Sequence, residues 1–103
     1  MREKQRYLLV EASSAIGTTD PKEFGRSLYP ELRKAIGELV YHRVNPKVIR
    51  VMPGSRFVIK SALQGNPDLV LALALTKSLA GQRIGFYTLK SSGTIKALLK
   101  FEH

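Results

Sequence analysis

The chain of 103 residues is long enough for one hydrophobic core and too short for two, and it carries no cysteine, which excludes disulfides, thiol catalysis and cysteine-ligated metals. Lys and Arg number 17 against 8 Asp and Glu, a formal charge of +9, and such an excess points to nucleic acid or another polyanion as partner. The N-terminus has no apolar signal region and no apolar run approaches the roughly 20 residues of a membrane span, so the chain reads as one cytoplasmic domain over residues 1–103 with no membrane association.

The elements follow in order. Arg6 to Ala12 is a compact strand, and Ser13 to Thr19 a loop. Asp20-Pro21-Lys22-Glu23 opens a helix, with Asp20 as the cap, Pro21 in the first turn and Glu23 reaching back as a capping box. Phe24, Leu28, Leu32, Ile36 and Leu39 or Val40 carry helical spacing to about Tyr41, and Pro30 predicts a kink or a split within that helix. Lys47–Met52 and Phe57–Ala62 flank Pro53-Gly54-Ser55-Arg56 as a hairpin. Asn66-Pro67-Asp68 opens a second helix, expected to run from Pro67 to Ala80 and to close on Gly81. Ile84–Leu89 forms the fourth strand, Ser91-Ser92-Gly93 a tight turn, and Ile95, Leu98 and Leu99 the apolar stripe of a short C-terminal helix.

The order β-α-β-β-α-β plus a C-terminal helix predicts an α+β fold, a ferredoxin-like or RRM-like split βαβ sandwich on a four-stranded antiparallel sheet. With Gly54-Ser55 as the hairpin tip, Val48, Met52, Phe57 and Ile59 share one face and Ile49, Val51, Val58 and Ala62 the other. Tyr7 and Leu9 likewise oppose Leu8 and Val10. Both faces are apolar, so a second layer must cover the face the two main helices leave bare. The C-terminal helix is the first candidate for that cover and a protein partner the next. Tyr7, Leu9, Phe57, Ile95, Leu98 and Leu99 are accordingly the expected protein-contact residues.

The basic residues fall into three groups: Arg2, Lys4 and Arg6; Arg43, Lys47, Arg50, Arg56 and Lys60; and Lys90, Lys96 and Lys100. Around the last group, Gly93 is free to take φ > 0, while Ser92 or Thr94 caps the helix start, whose backbone N–H groups attract anions. Arg2, Lys4, Arg6, Lys90, Ser92, Gly93, Thr94, Lys96 and Lys100 are therefore the expected RNA-contact residues; a plain capped helix with solvated lysines is the simpler alternative. The strand order leaves the N-terminal arm and the Lys90 turn at opposite ends of the sheet, or closer if the arm folds back. Arg56-Phe57-Val58-Ile59-Lys60 lacks the glycine and aromatic spacing of an RNA-recognition motif. No carboxylate pair or histidine cluster offers general acid–base or metal chemistry, so neither a catalytic nor a metal-ligating set is assigned.

Two segments resemble one family. Arg6-Tyr7-Leu8-Leu9 followed by Glu11, and Thr88-Leu89 with Gly93-Thr94-Ile95-Lys96, are similar to the first strand and the ending of ribonuclease P protein component 2, the archaeal counterpart of the eukaryotic Pop-five subunit. The resemblance implies a non-catalytic protein subunit of ribonuclease P, the ribonucleoprotein that removes the 5′ leader from precursor tRNA. It implies as partners the ribonuclease P RNA, which carries the metal-dependent chemistry, and a TIM-barrel protein subunit. It admits a homodimer within a heterotetramer, with precursor tRNA as the holoenzyme's substrate. No cofactor is expected on this chain; Mg²⁺ is expected in the RNA-containing holoenzyme. The competing readings are another basic RNA-binding or ribosomal-type protein of the same topology, and an acylphosphatase-like hydrolase. The hydrolase needs an Arg in the loop after the first strand, and Ala12 to Thr19 has Gly17 but no Arg.

Overall fold

The computed structural model describes residues 4–100, with Lys100 described through its backbone alone. Its elements are β1 (Gln5–Ala12), α1 (Pro21–Ile36), α2 (Glu38–Val44), β2 (Lys47–Val51), β3 (Arg56–Ala62), α3 (Asn66–Leu75), β4 (Ser78–Leu79), β5 (Gln82–Arg83), β6 (Phe86–Ser92) and α4 (Ile95–Lys100). The main sheet has the order β2-β3-β1-β6 with every neighbouring pair antiparallel, which is the split βαβ arrangement expected from the element order.

Helix α1 starts where the sequence predicts, but the capping box does not form. Asp20 accepts from the Lys22 N–H at 3.0 Å, whereas Glu23 accepts from the Thr18 hydroxyl at 3.2 Å instead of reaching back to Asp20. The helix also runs through Pro30, which is exposed, and breaks at Gly37. Phe24, Leu28 and Leu32 are almost fully buried on its inner face. Three such side chains contribute about 1.5–3 kcal/mol each on burial, enough to outweigh a proline penalty of about 3 kcal/mol. Gly37 stops the helix because its φ of 83° and ψ of 163° lie outside the helical region, in a conformation that suits glycine. Across this break the Arg33 guanidinium lies 4.8 Å from the centre of the Tyr41 ring and 3.6 Å from Glu38. Burial pushes the Tyr41 phenol above its usual range, against the lowering effect of Arg33.

The second predicted helix is shorter than its apolar run. Helix α3 begins at Asn66, so Asn66 does not cap it, and the Asn66 Oδ1 is buried without a partner. It ends at Leu75, where the Thr76 hydroxyl donates to the Ala72 carbonyl at 2.8 Å and the backbone turns extended. Residues 78–83 form a small hairpin, β4–β5, with Ala80 and Gly81 both at positive φ, the conformation of a two-residue type I′ turn. Gly81 is thus a hairpin residue and not a helix cap. Leu79, which fits the helical period by chance, enters the core from that hairpin.

Strand β6 starts at Phe86 and continues to Ser92, so Ser91 and Ser92 belong to the sheet and not to a turn. Two bulges reset the faces. In β2, Val48 pairs with Ile59 and Arg50 with Val58, leaving Ile49 as the extra residue. Val51 therefore joins Val48 and Phe57 in the main core, while Met52 joins Ile49 and Val58 on the outer face, the reverse of strict alternation. In β6, Leu9 pairs with Lys90 and Val10 with Thr88, so Leu89 is extra.

The main core lies between the sheet and α1, α2 and α3. Phe57 is at its centre, fully buried, with edge-to-face contacts to Phe24 at 4.8 Å and Phe86 at 5.7 Å. A second, smaller core lies on the other face, where Leu98 of α4 covers Leu9 and Val58, all fully buried, with Tyr7, Ile49, Met52, Leu89 and Ile95 around them. The C-terminal helix is thus the cover that the doubly apolar sheet required.

One backbone approach sets the α2–α3 corner. A Cβ built on Gly65 would lie 2.6 Å from the Val44 Cα, a backbone atom that cannot rotate away. Gly65→Ala is expected to destabilise the chain by about 2 kcal/mol through overpacking, measured by urea denaturation. A loss below about 0.5 kcal/mol, the usual range for a surface change, would show that the corner has slack.

Candidate nucleic-acid interface

Antiparallel pairing decides where the basic groups meet. Because β1 and β6 run in opposite directions side by side, the start of one abuts the end of the other: Tyr7 pairs with Ser92 and Leu9 with Lys90. The N-terminal arm and the Lys90 turn therefore share one end of the sheet, and the expectation of opposite ends is corrected. Arg6 joins them directly, its Nε donating to the Ser91 hydroxyl at 2.8 Å. Lys60 and Lys47 reach the same end, since Tyr7 pairs with Lys60 and Lys60 with Lys47.

Cross-strand partners project on the same face of a sheet. Tyr7, Leu9 and Val58 belong to the second core, so their partners mark the outer face: Lys60 beside Tyr7, Lys47 beside Lys60, Arg50 beside Val58 and Lys90 beside Leu9. Glu11 and Arg56 form a further outer pair, with Arg56 Nε 3.1 Å from the Glu11 carboxylate. The other acidic residues among those described are Asp20, Glu23, Glu31, Glu38 and Asp68, all on or next to α1, α2 and α3. Apart from Glu11, the one described carboxylate on the outer face of the sheet, the described acidic residues are thus confined to the helix layer.

Helix α4 packs on β6 and β1 and reaches Val58 of β3 through Leu98; among the described residues, the β2 side of that face and the β3 end at Lys60 lie beyond it. Lys47 and Arg50 are exposed there and Lys60 is half-buried, its ammonium 3.4 Å from the Gln5 side-chain oxygen. This is a surface suited to phosphate: several cations, one carboxylate already paired, and amphipathic walls from Tyr7, Ile49 and Met52. Sequence inspection grouped Lys47, Arg50 and Lys60 but did not nominate them. Their common face depends on the Ile49 bulge and on the adjacency of β1 and β3, and strict alternation from the hairpin tip conveys neither.

The residues nominated from sequence divide. Lys4, Gly93, Thr94 and Lys96 are exposed, and Arg6, Lys90 and Ser92 half-buried, all at the shared end of β1 and β6. Arg2 and the Lys100 side chain lie outside the described residues. The turn itself differs from expectation. Gly93 does not take positive φ, and a Cβ there would meet nothing within 4 Å. Ser92 accepts from the Thr94 N–H at 3.2 Å and Thr94 from the Ala97 N–H at 3.3 Å, so two of the amides expected to attract an anion already have partners. Among the protein-contact nominees, Leu9 and Leu98 are internal to the second core, Tyr7, Ile95 and Leu99 are half-buried, and Phe57 lies in the main core on the opposite face. Phe57 shares the main-core face with Val48 and Ile59, as alternation from the hairpin tip predicts, but it pairs with Val10 and not with Leu9, a register that the sequence does not carry. Among the described residues, the exposed large apolar side chains are instead Leu39 on α2, Leu71 and Leu75 on α3, Leu63 and Tyr87. Among the described residues no three His, Asp or Glu side chains converge to hold a metal. No helix among them is long and apolar enough to cross a membrane.

The chain matches the model of the Rpp14/Pop5 family over residues 6–102. It belongs to that family. It is 34% identical over 107 residues to the ribonuclease P protein component 2 of Methanosphaerula palustris, covering 95% of this chain and 61% of that protein. To the protein of the same description from Methanocorpusculum labreanum it is 29% identical over 101 residues, covering 97% of this chain and 67% of that one. This member of the Rpp14/Pop5 family thus spans about three fifths to two thirds of the length of these relatives. Its fold is similar to a chain in the cryo-EM structure of yeast ribonuclease MRP, with a TM-score of 0.67 at 12% identity, covering 99% of this chain and 93% of that one. At that identity the likeness is one of fold.

The cap geometry separates two neighbouring residues. Thr94→Ala is expected to cost about 1 kcal/mol through the lost N-cap. Gly93→Ala should stay within about 0.5 kcal/mol of the parent, because neither φ nor space opposes a Cβ. Thermal melts followed by circular dichroism compare the two, and a larger loss at Gly93 than at Thr94 would contradict this geometry.

Proposed function

We propose that this chain is a non-catalytic protein subunit of ribonuclease P, which binds the ribonuclease P RNA through the outer face of its sheet and assists removal of the 5′ leader from precursor tRNA. The observation that carries this reading is the basic β2 side of that face, where Lys47, Arg50 and Lys60 stand together and the one described carboxylate of the face, Glu11, is held by Arg56. Family membership and the name shared by the two archaeal relatives support the same reading.

The chemistry asked of the chain is electrostatic. Lys and Arg side chains placed along phosphates release condensed counterions and relieve repulsion between RNA segments that must approach each other. Mg²⁺ for the hydrolytic step is assigned to the RNA of the holoenzyme. A TIM-barrel protein subunit is the proposed protein partner, within a heterotetramer built on a homodimer of this chain, in the cytoplasm. Support for a protein partner comes from Leu71 and Leu75, one turn apart on α3 and each 51% exposed.

Reconstituted cleavage of precursor tRNA by the cognate RNA and TIM-barrel subunit, with and without this chain, tests the proposal. The chain is expected to lower the Mg²⁺ concentration needed for half-maximal cleavage and to show no cleavage by itself. Lys47→Ala/Arg50→Ala/Lys60→Ala should move that Mg²⁺ requirement back toward the value without the chain. Equal Mg²⁺ dependence with and without the chain would refute the function; equal support from the parent and the triple variant would refute the assigned surface.

A further inference from the structure

We propose that the cleft between α1 and the free edge of β2 is a second RNA contact, in which Lys22, Arg26 and Lys47 hold phosphate groups of a strand that continues around β2 from the outer face of the sheet. This rests on the ribonuclease P reading only in taking RNA as the polyanion. The cleft has a volume of about 410 Å³, and its walls include Lys22, Arg26 and Lys47 together with Tyr29, Pro46 and Val48. No carboxylate lines it.

Charge pairing sets this cleft apart from the end of α1 and the start of α2. On α1 and α2, Arg33 and His42 both approach Glu38, at 3.6 and 3.5 Å, and Lys34 approaches Glu31 at 3.4 Å. Lys22, Arg26 and Lys47 make no ion pair among the described residues. Lys22 and Arg26 are one helical turn apart, an arrangement in which like charges repel and weaken the helix. A cluster of this kind gains stability when an anion enters between its members.

The floor is built before any ligand arrives. The Tyr29 hydroxyl accepts from the Val48 N–H at 2.9 Å and so ties α1 to the edge strand. A phenol that accepts one hydrogen bond keeps its own proton to donate, which suits a phosphate oxygen. Arg26 adds a planar fork of N–H donors matched to two such oxygens. Lys47 makes the cleft continuous with the sheet: it begins β2, the edge strand, and its register with Lys60 sets it on the outer face. An RNA backbone leaving Arg50 and Lys60 would meet Lys47 next and then the two cations of α1.

The test uses the full chain and a 5′-labelled 12-nucleotide oligouridylate, with binding followed by fluorescence anisotropy over a series of KCl concentrations. Lys22→Ala/Arg26→Ala is compared with Lys77→Ala/Arg83→Ala, which removes the same charge beside and within the β4–β5 hairpin, and with Arg50→Ala/Lys60→Ala on the sheet. Two lost phosphate contacts to a single strand should lower the slope of log affinity against log salt by about 1.4, at about 0.7 for each. The hairpin variant should lower it by less than about half that amount. Lys22 and Arg26 are exposed, so the melting temperature of the cleft variant should match the parent. A cleft variant with the slope of the hairpin variant, while the sheet variant is weakened, would overturn this proposal and leave the ribonuclease P reading standing. A sheet variant that also matches the hairpin variant would count against RNA binding altogether. Unchanged RNA binding with weakened capture of the TIM-barrel subunit would overturn the proposal and give the cleft to the protein partner.

Discussion

Strand β1 is buried on both of its faces, and the rest of the structure follows from that. Leu8, Leu9 and Val10 are consecutive and fully buried, although neighbouring residues of a strand point to opposite sides. One layer of helices satisfies Leu8 and Val10 but leaves Leu9 facing water. Helix α4 supplies the missing layer through Leu98. Its described part, six residues, extends about 9 Å, whereas four strands at about 4.8 Å spacing measure about 14 Å across. Through Leu98 it covers Leu9 of β1 and Val58 of β3. Among the described residues, Lys47 and Arg50 of β2 stay exposed beyond it.

What lies beyond α4 has the charge of a nucleic-acid surface. Where α1 meets α2, Glu31 and Glu38 pair with Lys34 and Arg33. Such exposed pairs add little to stability, and their effect here is to cancel the local field. On the sheet, Glu11 is matched to Arg56 and no other described carboxylate approaches Lys47, Arg50 or Lys60. The spacing of these cations along two paired strands, about 5–10 Å, is comparable to a screening length of about 8 Å at physiological salt, so their fields overlap at a ligand. Among the described residues, cations without an ion pair therefore gather on the sheet at Lys47, Arg50 and Lys60 and at the α1–β2 edge at Lys22 and Arg26.

Bulges decide which side chains take part. Ile49 and Leu89 each interrupt alternation by one residue, and each interruption moves the following residues to the opposite face. In β2 the shift brings Val51 into the main core and Met52 out of it, so both faces stay apolar beneath their covers. In β6 it sets Lys90 and Ser92 beside Leu9 and Tyr7. Counting outward from Gly54-Ser55 without the β2 bulge exchanges Val51 and Met52, while the place of Phe57 at the aromatic centre of the main core follows from its pairing with Val10.

Signals that act over a few residues were legible in the sequence: the Asp20-Pro21 helix start, the Pro53-Gly54 hairpin, the alternation in β1, the Gly93-Thr94 start of the last helix, and from their order the fold. So was the need for a second layer, because two apolar faces are written in Leu8, Leu9 and Val10. Tertiary structure decided the rest. Whether α1 breaks at Pro30 or Gly37 depends on how much of its inner face the sheet buries. Whether Leu79 ends a helix or enters from a hairpin depends on what Thr76 and the core offer it. Whether Arg6 meets Ser91, and Lys60 meets Lys47, depends on which strands become neighbours. Neighbours in a sheet are residues distant in sequence, and their pairing is set by the burial that the whole chain achieves at once; no local pattern in this sequence carries that information.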